Sequence, residues 1–103
     1  MILNRFKDCT AVICYNDLVA VKLVELLKRN GILIAQDMSI VSFDNSSLAK
    51  SSLYSLTSSV YPSYAIGELA AKSVLEKLDN PNKEIKYQLA TKVKIRNSVK
   101  KLK

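Results

Sequence analysis

The sequence predicts an α/β protein built on a parallel sheet, and three observations lead to that fold class. Residues 10–15 form a short apolar run rich in β-branched side chains, which is typical of a strand covered on both faces. A stretch with helical spacing follows it, and residues 39–43 form a second apolar run. Strand, helix and strand in this order make a β-α-β unit, whose crossover is right-handed in nearly all proteins.

The first helix is predicted over residues 18–30 from its apolar stripe. Asn16 and Asp17 offer the side-chain oxygens that cap a helix N-terminus, and Gly31 is suited to end the helix in the left-handed conformation. The predicted stripe consists of Val19, Ala20, Leu23, Val24 and Leu27. A helix with this stripe covers the sheet between the two strands.

Residues 45–63 are rich in serine and are predicted as a long irregular connection, a length typical of functional crossovers. Leu53, Leu56 and Val60 are expected to hold this passage against the body of the protein. We therefore expect two strands, and not three, before the second helix.

A second helix is predicted over residues 64–78, with Ser63 as its N-cap. After a turn, apolar and polar residues alternate over residues 87–96, which predicts a half-buried strand. The outward residues Lys92 and Lys94 would discourage this strand from pairing with another chain.

The net charge of +7 is concentrated at the end of the chain. Basic and acidic side chains balance over residues 1–82, whereas residues 83–103 carry eight basic side chains against Glu84 alone. Such a stretch is either a nucleic-acid-binding patch or the solvated face of a strand followed by a frayed tail.

The residue types exclude several kinds of site. The chain has no histidine, so neither a Ser/His/Asp triad nor a Cys/His pair can form within it. Cys9 and Cys14 are predicted to be reduced core residues that share no metal, which suits a cytoplasmic protein. No apolar run is long enough to span a membrane. We expect no catalytic residue, no metal and no cofactor.

Polar side chains follow both predicted strands. Asn16 and Asp17 come after the first strand, and Asp44 and Asn45 come after the second. Because ligands of open parallel sheets bind beyond the carboxyl ends of the strands, these groups would surround one crevice suited to sugar hydroxyls. Alternatively, they form only a helix cap and a turn.

The motifs together resemble the C-terminal half of LacI/GalR-type sensor domains. The resemblance is carried by TAVICYND at residues 10–17, Ala20, Gly31, DMSIVSFD at 37–44, Leu56-Thr57, Gly67 and Ala70-Ala71. The chain departs from the family pattern at Lys22, Ala35 and Ser42, where glycine, proline and glycine are usual. The L-arabinose repressor branch, with its GntR-type DNA-binding head, is the most similar, through CYND at 14–17, Lys22, Pro62, Arg96, Ser98, Lys101 and Leu102.

This resemblance implies a doubly wound, periplasmic-binding-protein-like fold of which the chain is the C-terminal portion. Residues 9–60 would belong mainly to the C-terminal lobe, and residues 61–80 to the crossover and a helix of the N-terminal lobe. Residues 85–97 would form the returning strand, and residues 98–103 a tail. The DNA-binding head would lie outside the chain.

The resemblance also implies a function. The chain would sense a sugar, with L-arabinose as the implied effector, and sugar binding would release the operator from the repressor. Carried over by position, Asn16, Asp44 and Tyr61 are the implied sugar contacts, with Asp17 beside them. The first helix and the segment after Asp44 resemble the family's dimer interface.

A homodimer interface also fits apolar residues that lie outside the helix stripe. These residues are Leu18, Val21 and Leu26 on the first helix, and Ser47 lies in the segment after Asp44. Three rival functions remain: a sugar-binding transport protein of the same fold, a basic nucleic-acid-binding module, and a small hydrolase using Asp17 and Asp44. The hydrolase lacks a nucleophile constellation.

Overall fold

The computed structural model describes residues 2–102. A 3-10 helix at Ile2–Arg5 precedes the regular elements. These are β1 (Ala11–Ile13), α1 (Asp17–Arg29), β2 (Ser39–Asp44), α2 (Ser47–Lys50), β3 (Thr57–Val60), α3 (Ser63–Asp79) and β4 (Val93–Lys94). The chain divides into two compact units, Met1–Val60 with Lys92–Lys103, and Tyr61–Thr91.

The first unit contains a four-stranded sheet with the order β1-β2-β3-β4. β1 pairs with β2, and β2 with β3, in parallel, whereas β4 is antiparallel to β3. Ile13 lies opposite Val41, and Asp44 lies opposite Val60. The α/β class with a mostly parallel sheet is therefore confirmed, and the carboxyl ends of three strands share one edge.

α1 begins and ends within one residue of the predicted bounds, 18–30. The Asn16 side chain accepts a hydrogen bond of 2.9 Å from the backbone N–H of Val19, which caps the helix. Gly31 has a φ of 75° just after the helix, a conformation that glycine adopts at low cost. The buried face is Asp17, Ala20, Val21, Val24 and Leu27.

The buried stripe of α1 differs from the predicted one. Val19 was predicted to be buried but is 46% exposed, and Val21 was predicted to lie outside the stripe but is only 7% exposed. Positions 17, 21 and 24 share a face because they are separated by four and three residues. The polar Asp17 at the start of this face hid the true stripe from a pattern based on apolar residues.

The hydrophobic core lies between α1, α2 and one face of the sheet. It contains Cys14, Ala20, Val21, Val24, Leu27, Met38, Ile40, Ala49 and Leu56. Cys14 is a core residue as predicted, whereas the prediction for Cys9 was wrong, because Cys9 precedes β1 and is exposed. Burial raises the pKa of the Cys14 thiol, which keeps this thiol protonated at neutral pH.

The prediction of an irregular passage over residues 45–63 was wrong. This passage contains α2 and β3, and β3 pairs with β2 over four residues. β3 has the sequence TSSV, so it lacks the apolar run by which buried strands are recognised, yet Thr57 and Ser58 are buried. Leu56 is buried as predicted, whereas Leu53 is exposed.

The second unit is dominated by α3. Pro62 occupies the N-cap position and Ser63 is the first helical residue, so the prediction of Ser63 as the N-cap was wrong. Proline at this position presets φ for the turn of chain that enters a helix. Within the described part of the chain, none of the residues of α3 is buried.

The predicted strand over residues 87–96 is reduced to Val93–Lys94. A strand needs a neighbour to complete its hydrogen-bonded ladder, and β3 offers only the pairs Ser58 with Lys94 and Ser59 with Val93. Tyr87 and Ile95, which were expected to be half-buried, are consequently exposed.

Residues after β4 are held firmly in the first unit, so the predicted frayed tail was wrong for residues 98–100. Ser98 is completely buried; its hydroxyl donates to the Ile40 carbonyl at 2.6 Å and accepts from the Thr57 N–H at 2.8 Å. The N–H of Ile40 in turn donates to the Ser98 carbonyl at 2.8 Å. Ser98 thus joins β2 to β3, and only Lys103 of the predicted tail lies outside the described residues.

Candidate functional site

The carboxyl edge of the parallel strands carries the polar residues that the sequence predicted there. Asn16 follows β1, and Asp44 is the last residue of β2. The carboxylate of Asp44 is exposed, and no hydrogen bond within residues 2–102 uses it, although Asn45 and Ser46 beside it are both bonded. Asp44 therefore presents free acceptor oxygens to a ligand.

Asn16 has a dual position at this edge. Its side-chain oxygen is used to cap α1, since it accepts from Val19. The side-chain amide nitrogen takes no part in the hydrogen bonds of the described residues. The predicted alternatives are thus combined: Asn16 is a helix cap whose remaining N–H groups can still donate to a bound molecule.

The backbone turns sharply at Asp44 and Asn45, where φ is 102° and 53°. Asparagine tolerates the left-handed region, but aspartate at 102° lies outside it. Such conformations cost about 1–3 kcal/mol each and persist where surrounding contacts fix them. Two consecutive residues with positive φ at a strand end therefore lower the stability of the fold but fix the direction of the turn.

Asp17 lies beneath this turn and not at the exposed edge. It is 1% exposed, and its carboxylate accepts four hydrogen bonds. The donors are the Ser42 hydroxyl at 2.5 Å, the Ser58 hydroxyl at 2.8 Å, the Ser46 N–H at 2.6 Å and the Ser46 hydroxyl at 2.7 Å. With its oxygens occupied, Asp17 supports the site from inside, which corrects its prediction as an effector contact.

Two opposing influences act on the pKa of Asp17. Burial raises the pKa, but the hydrogen bonds from Ser42, Ser46 and Ser58 outweigh it, and the pKa lies below its ordinary value of 3.8. Asp17 also occupies the first turn of α1, where the helix dipole favours a negative charge. The buried carboxylate is therefore ionised at neutral pH.

Arg96 also holds the turn, through hydrogen bonds that do not involve Asp17. One guanidinium nitrogen donates to the Leu56 carbonyl at 2.7 Å, and the other donates to the side-chain oxygen of Asn45 at 2.5 Å. The backbone N–H of Arg96 donates to the Thr57 hydroxyl at 3.0 Å. Of the predicted basic stretch, Arg96 is thus an internal structural residue, whereas Lys92 and Lys94 are exposed.

Tyr61, the third predicted effector contact, directly follows β3 and belongs to the second unit. It is 58% exposed. Within that unit it lies at a largely apolar cavity of about 500 Å³, lined also by Pro62, Ile66, Tyr87 and others. The ring can therefore be reached by solvent.

Two aromatic residues at the strand ends were not predicted from the sequence. Tyr15 and Phe43 each lie two residues beyond the paired Ile13 and Val41, and they are 85% and 46% exposed. Exposed aromatic rings at a ligand-binding edge offer flat apolar surfaces beside the polar groups. The sequence feature that could have identified them is their position at the ends of the apolar runs 10–15 and 39–43.

The serines around Asp17 and the role of Arg96 were likewise not predicted from the sequence. Ser42 was visible as a departure from the family's usual glycine, and its hydroxyl explains the departure by reaching Asp17. Ser46 and Ser58 belonged to a passage interpreted as irregular. No spacing in the sequence connects Arg96 with Asn45, which lies 51 residues earlier.

The predicted dimer-interface residues divide into two groups. Leu18 on α1 and Ser47 on α2 are exposed, and Leu26 is partly exposed. Val21 lies in the hydrophobic core, so its prediction as an interface residue is corrected. The two helices that carry these exposed residues, α1 and α2, contact each other.

Two classes of feature are not found in residues 2–102. These residues contain no group of three histidine, cysteine, aspartate or glutamate side chains that could hold a metal ion. Among the same residues, no helix is both long enough and apolar enough to cross a membrane.

The chain is similar in sequence to known regulators. The profile of the periplasmic binding protein-like domain matches residues 2–99. The HTH-type transcriptional repressor PurR of Vibrio parahaemolyticus serotype O3:K6 is 35% identical over 97 residues, covering 93% of this chain and 29% of the relative. The arabinose metabolism transcriptional repressor of Geobacillus stearothermophilus is 33% identical over 70 residues, covering 68% of this chain and 19% of the relative.

Solved structures agree with these relatives. A LacI family transcriptional regulator from Enterococcus faecalis V583 with bound ribose matches with a TM-score of 0.85 at 28% identity, covering 98% of this chain and 39% of that chain. These matches are to transcriptional regulators and not to enzymes. The chain spans 29% of the length of the first curated relatives that it matches.

Proposed function

Because this chain belongs to the periplasmic binding protein-like domain family, in the form found in LacI-type transcriptional repressors, we propose that it senses a small-molecule effector for such a repressor. The single observation that carries the proposal is the free carboxylate of Asp44 at the carboxyl edge of the sheet. A repressor acts on DNA, so the proposed location is the cytoplasm.

The proposed effector is a sugar, and L-arabinose is the first candidate. A charged carboxylate accepts strong hydrogen bonds from hydroxyl groups, and a site built to bind hydroxyls rejects analogues that lack them. One relative is an arabinose metabolism repressor, and one structural neighbour holds ribose, so pentoses are the favoured class. D-Ribose is the competing candidate.

In this proposal Asp44 accepts hydrogen bonds from vicinal hydroxyls, and the free amide N–H groups of Asn16 donate to the same molecule. Tyr61 contributes a further polar contact from the crossover. Asp17 does not touch the sugar; it supports the edge through Ser46 and Ser58. Exposed Tyr15 and Phe43 offer apolar surfaces for the sugar ring.

The proposed mechanism is thermodynamic linkage between sugar and DNA. Residues 9–60 would supply most of one lobe, residues 61–80 the crossover and a helix of the other, and residues 85–97 the return. A sugar between two lobes favours one arrangement of a dimer built through Leu18, Leu26 and Ser47. In this proposal the operator is bound by a head outside this chain. The sugar can weaken operator binding by no more free energy than the difference in its own affinity for the two arrangements.

The test is a thermal-shift titration of the complete protein that contains this chain, with L-arabinose, D-ribose, D-galactose and D-glucose. A ligand that binds only the native protein stabilises it by RT ln(1 + [L]/Kd), so the melting temperature rises with ligand concentration. We expect a rise with L-arabinose that Asp44→Ala abolishes and the exposed-residue control Asp8→Ala retains. A flat response to all four sugars would refute the sugar proposal.

A DNA-binding measurement separates the repressor from a transport protein of the same fold. The complete repressor should bind an operator fragment in a gel-shift assay, and L-arabinose should release it. A transport protein would bind the sugar but show no sugar-sensitive DNA binding.

A further inference from the structure

We propose that Arg96 is a positioning residue for Asp44 and sets effector affinity through Asn45 without touching the effector. This inference rests on the proposed function, because it concerns the residue that we expect to contact the sugar. The residues that carry it all lie in the first compact unit.

The first step concerns the direction of the Asp44 side chain. Asp44 has a φ of 102°, which aspartate adopts only when its surroundings hold it there, and Asn45 has a φ of 53°, in the left-handed region that asparagine tolerates. If Asn45 relaxed to a negative φ, the backbone at residue 44 would rotate and its carboxylate would leave the strand end in another direction. The conformation of Asn45 therefore determines the direction of the Asp44 side chain.

Asn45 is held at two points. Its N–H donates to the Ser58 hydroxyl at 2.9 Å, and Ser58 itself donates to the buried Asp17. Its side-chain oxygen accepts from the Arg96 guanidinium at 2.5 Å. The first contact fixes the backbone, and the second fixes the side chain, so rotation of Asn45 would break both.

Arg96 is suited to this role because its own position is fixed. The planar guanidinium uses one arm for the Leu56 carbonyl and the other for Asn45, while the backbone N–H bonds Thr57. A lysine carries the same charge on a single nitrogen and cannot reproduce this fork. Arg96 thus joins the side chain of Asn45 to Leu56 and Thr57, in addition to the bond between the Asn45 N–H and Ser58.

The test is a double-mutant cycle for sugar affinity in the complete protein. The variants are Arg96→Lys, Asp44→Asn and the double variant, with Lys94→Gln as the matched control on the same strand segment. Isothermal titration calorimetry with L-arabinose and D-ribose gives the dissociation constants. It is carried out well below the melting temperature of each variant, so that all variants are folded. We expect Arg96→Lys to weaken binding about tenfold, and Lys94→Gln to leave it unchanged.

The cycle separates positioning from a general structural effect. If Arg96 acts through Asp44, adding Arg96→Lys to Asp44→Asn should change the affinity less than about twofold, because the charged acceptor that it positions is already lost. Equal effects of Arg96→Lys in both backgrounds would overturn the proposal. An unchanged affinity in Arg96→Lys alone would overturn it as well.

A second measurement does not depend on any sugar. Amide hydrogen exchange of Asn45 in the complete protein without sugar reports whether its N–H stays bonded to Ser58. We expect exchange at Asn45 to rise at least about tenfold in Arg96→Lys, with Val24 in α1 unaffected. Unchanged exchange would overturn the positioning role, whereas failure of the wild type to bind either sugar would refute only the proposed function.

Discussion

The hydroxyl of Ser58 donates to Oδ1 of Asp17 at 2.8 Å and joins β3 to the first turn of α1 across 41 residues of sequence. The Ser42 hydroxyl reaches the same oxygen from β2. Ser46, at the start of α2, occupies the other oxygen. One buried carboxylate is therefore bonded to two strands and a second helix, and its loss should be felt in all of them.

Asp17→Asn should destabilise the protein by about 3 kcal/mol, because hydrogen bonds to a charged acceptor are stronger and the amide brings N–H groups toward serine donors. The midpoint of urea unfolding, followed by circular dichroism, measures this. Asp8→Asn, an exposed change before β1, is the matched control and should alter stability by less than about 0.5 kcal/mol. Equal midpoints for the two variants would contradict the central role of Asp17.

Stability should also depend on pH through Asp17. The folded-state pKa of Asp17 lies below its ordinary value of 3.8. Ionised Asp17 therefore stabilises the native state relative to the unfolded state. Its contribution is fully present above the unfolded-state pKa and is lost as the pH falls through the lower folded-state pKa. The stability gap between wild type and Asp17→Asn should be constant above about pH 5 and shrink below about pH 4. A stability gap that grows on acidification would show that folding raises the pKa of Asp17, which contradicts the prediction.

Ser42→Ala should destabilise the protein by about 1.5–3 kcal/mol, because it removes a donor to a buried charge and nothing replaces it. Ser59→Ala is the matched control, since Ser59 also lies in the sheet but is only partly buried and makes no side-chain hydrogen bond within the described residues. Chemical denaturation compares the two. If Ser59→Ala were the more damaging change, the hydrogen bond to Asp17 would not explain the serine at position 42.

Ser98→Ala should destabilise the protein by about 2–3 kcal/mol. It removes the bond to the Ile40 carbonyl and leaves the buried Thr57 N–H without its acceptor. Hydrogen exchange at Thr57 should rise with the loss of stability measured in urea. Ser52→Ala, at an exposed serine, provides the comparison and should be neutral. Protection of Thr57 that survives the substitution would show that another acceptor is available.

The elements predicted from the sequence are those whose signal is local. β1, α1, β2 and α3 follow from runs and periods of apolar residues, and the cap at Asn16 and the left-handed Gly31 follow from residue chemistry. β3 could not be predicted in this way. Its buried residues are Thr57 and Ser58. The Thr57 N–H donates to Ser98, the Thr57 hydroxyl accepts from the Arg96 N–H, and the Ser58 hydroxyl donates to Asp17, all in distant parts of the chain.

The candidate site shows the same division. Position after a strand placed Asp44 and Asn16 at the carboxyl edge, because parallel strands end together. Spacing could not distinguish Asp17 from its neighbour Asn16, although one is buried beneath the site and the other lies at its surface. The difference depends on three serine hydroxyls that converge only in the folded chain.

The position of Ser98 has a consequence for how the protein is made. Its bonds to Ile40 and Thr57 connect residues that lie 58 and 41 positions earlier in the chain. During translation, α1 and the parallel pair β1–β2 can form while the ribosome is still adding later residues, but the bonds that Ser98 makes at the amino ends of β2 and β3 cannot form until Ser98 has left the exit tunnel. The nascent chain must therefore expose the amino ends of these strands while the 58 residues from Ile40 to Ser98 are being made, a period in which chaperones have access to them.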